Sequence, residues 1–179
     1  VIEALADDDR FQLGLAPIDV LVRGFGPKQL ILVSGFSHAA KSQLVLNAIY
    51  RNPTKRILFL SLDDPAELLL LKLVALSENV AADYLELQIR EGSEEAKLTL
   101  RQAVNHTYAN LLVVDDSLSM SGIEQAIAEA TEYWGADPHL VVIDYLASIA
   151  GDDFGEDGGV RAKAAALKRF VKSCDFPIL

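Results

Sequence analysis

Leu30-Ile31-Leu32-Val33-Ser34-Gly35-Phe36-Ser37-His38-Ala39-Ala40-Lys41-Ser42 is the stretch whose reading decides the fold. Residues 30–34 form a short apolar run that predicts a fully buried strand. A helix pattern begins at Lys41, with Leu44, Leu46, Ala48 and Ile49 on its apolar side, and Asn52-Pro53 stops it. Between strand and helix lies Gly-x-x-x-x-Ala-Lys-Ser. The phosphate-loop pattern is Gly, four residues, Gly, Lys, then Ser or Thr. Gly35, Lys41 and Ser42 fit it, and Ala40 stands where the second glycine belongs.

A loop of this kind aims several backbone N–H groups at one point, and the dipole of the following helix favours an anion there. Gly35, Phe36, Ser37, His38, Ala39, Ala40, Lys41, Ser42 and Gln43 are the candidate phosphate-binding residues. Lys41 would reach the β- and γ-phosphates, and Ser42 would offer its hydroxyl to Mg²⁺. Ala40 is the departure. If its position needs a positive φ, the methyl costs on the order of 1 kcal/mol relative to glycine. The competing reading is a strand–loop–helix turn that contains Gly, Lys and Ser by chance.

Working outward, residues 56–62 (RILFLSL), 111–115 (LLVVD) and Leu140–Asp144 (LVVID) predict further buried strands, and 176–179 begins a fifth. Helix patterns cover 66–77, 80–90, 93–108, 121–134 and 160–173. Pro65 suits a first helical turn, with Asp63 or Asp64 as its cap. Short strands alternating with helix-length crossovers predict an α/β fold with a mainly parallel central sheet and helices on both faces. Residues 1–179 read as one domain, with 1–13 as a lead-in. The chain opens on Val1 and stops at Leu179 within a strand pattern, which reads as a piece of something longer.

In such sheets the chemistry gathers at the carboxyl ends of the strands. Asp144 ends a buried strand there and would hold Mg²⁺ through water. Asp63 and Asp64 end another; a carboxylate at that place would activate the attacking water, or merely cap the Pro65 helix. Asp115 and Asp116 read as turn formers, and Tyr145 and Trp134 as packing residues. His106 and His139 lack partners at ligand spacing, so no zinc is assigned.

The charge balance weighs against a free-standing nucleic-acid binder. Lys plus Arg is 16 against 26 Asp plus Glu, a net charge of −10 over 179 residues. The one basic concentration, Arg161, Lys163, Lys168, Arg169 and Lys172, reads first as a solvated helix face. A single cysteine, Cys174, excludes an internal disulfide and reads as a structural thiol. No apolar run approaches the ~20 residues of a membrane span, and no signal peptide is visible, so a cytoplasmic location is expected.

Together these pieces resemble the RecA-like ATPase core of DnaB-type replicative helicases, divergent phage forms included, from about Leu15 onward. Gly14–Leu21 is similar to the family's opening segment, and Ser61-Leu62-Asp63-Asp64-Pro65 to its Ser-Leu-Glu-Met-Pro motif. Asp115-Asp116-Ser117 resembles its Asp-Asp-Thr, and Val142-Ile143-Asp144-Tyr145-Leu146 its Walker B segment. The resemblance implies a RecA-like P-loop NTPase with ATP and Mg²⁺ as ligands. Lys41 and Asp63 would be catalytic, Asp63 in the place of the family's glutamate base, and Ser42 and Asp144 would hold the metal. It further implies a homo-oligomer, a hexameric ring, acting on DNA. Ala40, Asp63, Ala147 and an acidic loop (Asp152, Asp153, Glu156, Asp157) depart from the family pattern. A recombination or nuclease-associated ATPase of the same fold is one alternative reading. A non-hydrolysing nucleotide-binding assembly module is another.

Overall fold

The computed structural model describes residues 10–36, 39–151 and 159–179. Its centre is strand β1 (Ile57–Ser61), flanked by β2 (Leu111–Val114) and β3 (Leu140–Asp144), all parallel, in the order β2-β1-β3. Ile57 stands level with Leu111 on one side and Leu140 on the other, and Ser61 stands level with Asp144. The carboxyl ends of β1 and β3 are therefore aligned.

The period-two alternation of the strands divides the core. Ile57, Phe59, Leu140 and Val142 face one apolar cluster; Leu58, Leu60 and Val141 face another. Helices α2 (Lys41–Arg51), α3 (Ala66–Ser77), α4 (Ala82–Arg90) and α5 (Glu94–Gln102) supply the first, through residues such as Ile49, Leu73, Leu85 and Ala96. Helices α6 (Met120–Trp134) and α7 (Val160–Phe170) supply the second through Ile123, Ile127 and Leu167. The sheet thus carries helices on both faces, as expected. The short helix α1 (Ala16–Val22) lies before them. Phe11 and Leu13 are buried in the first cluster, so part of the expected lead-in is core.

The sheet continues past β3, but thinly. Val141 bridges Ile178, and Ile178 bridges Leu30, both parallel. Ile143 N donates to Leu179 O at 2.8 Å and Ile31 N to Ile178 O at 2.8 Å. The expected buried strand 30–34 is therefore corrected. Only its first two residues, Leu30 and Ile31, join the sheet, both through Ile178. Leu32 is 59% exposed and Val33 39%.

Helix ends differ from expectation where side chains from elsewhere intervene. Neither Asp63 nor Asp64 caps α3. Asp115 Oδ2, from the end of β2, accepts from Ala66 N at 2.9 Å instead. Asp115 is thus more than a turn former. The expected helix 93–108 begins as predicted, with Ser93 Oγ accepting from Ala96 N, but widens into a π-helical turn at Ala103–Thr107. The expected helix 160–173 tightens into a 3-10 turn at Val171–Ser173. Trp134 packs against the second cluster, as expected of a core aromatic.

Candidate functional site

Helix α2 places two of the expected side chains. Val45, Leu46, Ala48 and Ile49 bury one face of it, which fixes Lys41 and Ser42 in its first turn. The backbone enters the helix through Ala40 at φ 56 and ψ 31, in the left-handed region. This is the conformation the pattern's glycine supplies at no steric cost, and here an alanine adopts it. The first-turn N–H groups have no intrahelical partners.

Ser42 Oγ donates to Asp144 Oδ2 at 2.7 Å, across 102 positions of sequence. The two residues expected to hold a metal thus meet at the end of β3. A hydroxyl and a carboxylate are hard oxygen donors, the kind Mg²⁺ takes alongside water and phosphate oxygens. Lys41 Nζ donates to Gly35 O at 3.2 Å and to Phe36 O at 3.0 Å, so its ammonium lies folded over the loop. Ala39 N donates to Phe36 O at 3.1 Å, which closes the loop on itself. Phe36 is 92% exposed, and Gln43 is exposed on the helix surface. Ser37 and His38 lie outside the described residues.

Lys41, Ser42 and Asp144 line a cavity of about 370 Å³ with Ser61, Asp63, Asp64, Lys72 and Tyr145. Ser61 is buried and donates from Oγ to Asp64 O at 2.6 Å, which tightens the turn leaving β1. Asp64 Oδ2 pairs with Lys72 Nζ at 3.1 Å. Asp63 shares the cavity wall and shows no ion pair or hydrogen bond among the described residues. Tyr145 is 45% exposed on that wall, which corrects its reading as a packing residue. The Asp144–Tyr145 peptide bond is cis.

Reading the sequence missed Lys72. Its signal is that it is the one basic residue in α3, an otherwise apolar and acidic helix. Other expected groups lie away from the cavity. His139 Nδ1 accepts from Arg56 N at 2.9 Å at the opposite end of β1, and His106 sits exposed in the π-helical turn. Lys163 donates to Ala147 O, tying α7 to the segment that follows β3. Arg161, Lys168, Arg169 and Lys172 are exposed. Cys174 is buried, and burial pushes its thiol above the usual range, which suits a structural residue. The acidic loop residues Asp152, Asp153, Glu156 and Asp157 lie outside the described residues. Among the described residues no helix is long and apolar enough to cross a membrane.

A parallel sheet with helices on both faces, and a loop leading into a helix at its carboxyl edge beside a strand-ending aspartate, is consistent with a RecA-like α/β fold. The chain belongs to the DnaB-like helicase C-terminal domain family, whose model matches residues 11–179. The fold is similar to an ATPase domain of known structure, with a TM-score of 0.78 at 15% identity. That match covers 98% of this chain and 65% of the other. It is similar to a DnaB-like replicative helicase solved in a study of its interactions with primase, with a TM-score of 0.77 at 16% identity. There it covers 94% of this chain and 42% of the other. The RadB recombinase shares the fold more distantly, with a TM-score of 0.53 at 15% identity, over 94% of this chain and 67% of the other. The chain therefore spans less than two thirds of the first two solved chains it resembles. No curated protein matches the chain.

Proposed function

We propose that this chain binds and hydrolyses Mg-ATP as the motor core of a DNA-unwinding ring. The observation that carries the reading is the 2.7 Å bond between Ser42 Oγ and Asp144 Oδ2, with Lys41 one residue before it. It joins the helix that would bind phosphate to the strand that would hold the metal.

In this reading the loop amides of 35–43 and the Lys41 ammonium take the β- and γ-phosphates of ATP. Lys41 must then give up its bonds to Gly35 O and Phe36 O, which phosphate oxygens replace. Ser42 and Asp144 would hold Mg²⁺, which would neutralise charge on the phosphates. Asp63 is the base. It accepts a proton from water as the water oxygen bonds to the γ-phosphorus and the bond to the bridging oxygen of ADP breaks. The products are ADP and inorganic phosphate, and the proton leaves Asp63 for phosphate or solvent. The short aspartate side chain, in place of the glutamate its family motif carries, slows this step without removing it. The proposal extends to a homohexamer with nucleotide between subunits, to DNA as the substrate and to a place of work in the cytoplasm, the host's if the chain is phage-encoded. Residues 1–179 act in it as one domain.

The test is a Mg-ATP titration with phosphate release measured on the same sample, and Lys41→Ala as control. Micromolar-range binding and turnover, both lost in Lys41→Ala, are expected. Binding without turnover in any assembled state would turn the reading toward a non-hydrolysing module. No binding, or binding indifferent to Lys41, would overturn it. Turnover stimulated by single-stranded DNA without strand separation would favour a recombination ATPase, the reading that the likeness to RadB keeps in view.

A further inference from the structure

The cavity at the carboxyl edge brings three carboxylates together with two ammonium groups. Asp63, Asp64 and Asp144 line it against Lys41 and Lys72. Asp144 is engaged by Ser42. Asp64 is held twice: its main-chain oxygen by Ser61 Oγ at 2.6 Å, and its carboxylate by Lys72 Nζ at 3.1 Å. Lys72 itself is fixed by its helix, because Leu69, Leu71 and Leu73 around it are buried. Beside this pair, Asp63 has no ion pair or hydrogen bond among the described residues.

We propose that Lys72 is a positioning residue of this site: by pairing with Asp64 it withdraws that carboxylate from the phosphates, leaving Asp63 as the acidic group the turn presents. The inference rests on the nucleotide-binding reading above and deepens it. A stability role does not account for the pair. Its side chains are 36% and 49% exposed, and a half-exposed ion pair contributes little to folding. A phosphate chain in the shared cavity would carry several charges of its own, so the same two groups would act on it even where they contribute little to folding.

The electrostatic role has a signature in sign. Lys72→Met frees a carboxylate toward the phosphates and weakens binding of Mg-ADP. Asp64→Asn frees an ammonium and tightens it. Each single change is expected to shift Kd by roughly three- to tenfold at low ionic strength, and by less at high salt. The double variant falls between the singles, and Lys72→Arg keeps most of the wild-type affinity. Thermal midpoints of all four stay close together, which separates the effect from unfolding.

The experiment is calorimetric titration of Mg-ADP into the wild type, Lys41→Ala and these four variants at two salt concentrations. Opposite shifts for Lys72→Met and Asp64→Asn support the inference. Shifts of the same sign, or none, with wild-type binding still dependent on Lys41, overturn it and leave the nucleotide site standing. Loss of wild-type binding, or indifference to Lys41→Ala, overturns both.

Discussion

Two apolar runs that read alike in sequence end up in different surroundings. Residues 57–61 (ILFLS) are buried throughout and pair on both sides, with β2 and with β3. Residues 30–34 (LILVS) enter the sheet through a single bridge and leave Leu32 and Val33 exposed. The difference is neither hydrophobicity nor β-propensity. It is the presence of a paired neighbour, which satisfies the backbone and covers the side chains together. The contrast bears on the site. Asp63 and Asp144 hang from the doubly paired half, whereas the proposed phosphate loop hangs from the thinly paired half. The Ser42–Asp144 bond is what ties one to the other.

The strongest way to break this contrast is to truncate both runs. Phe59→Ala should cost about 3–5 kcal/mol in urea unfolding, because the ring is fully buried. Leu32→Ala should stay within about 0.5 kcal/mol, as exposed positions do. Equal losses would mean that Leu32 is covered in solution and that the two halves are alike.

Cutting the tie comes next. Asp144→Ala removes the acceptor of Ser42 Oγ and should cost about 1–2 kcal/mol in the same assay. It should also abolish the Mg²⁺ dependence of nucleotide binding, measured by titration with and without chelator. Retained Mg²⁺ dependence would move the metal elsewhere.

A smaller effect probes how the paired half is pinned to its helices. Asp115→Ala uncaps α3 and should cost about 1 kcal/mol, whereas Asp116→Ala, one residue on, should cost almost nothing. Matching losses would show that the Asp115–Ala66 bond does not form in solution.

The smallest effect sharpens the loop side. Ala40→Gly relieves a left-handed alanine, about 1–2 kcal/mol, but loosens the unfolded chain by about 0.4–1 kcal/mol. Net stabilisation of about 0.5–1 kcal/mol is expected from chemical denaturation. A destabilised variant would mean that residue 40 does not sit at positive φ in solution.

Much of this molecule was legible before any coordinate. The alternation of short strands with helix-length crossovers described the fold, because period-two and period-3.6 patterns are local. Gly35, Lys41 and Ser42 stood out because loop and helix are adjacent in sequence. Asp144 stood out because its strand ends on it. What stayed hidden depended on distant partners. Asp115 looked like a turn residue until β2 was set beside the start of α3. Lys72 was a lone cation in an apolar helix until the turn after β1 brought Asp64 to it. Residue type alone did not separate Asp63 from Asp64; only the resemblance to the family motif favoured Asp63.

Sequence alone thus determined the class of fold, the helix that starts at Lys41 and the residue types proposed to hold phosphate and metal. These follow from hydrophobic periodicity and from a helix N-terminus, which act over a few residues. Tertiary structure alone decided which apolar run is buried, which aspartate is paired among the described residues, and where Ser42 finds its partner. Each of those is a choice among partners far apart in the chain, made by register and packing.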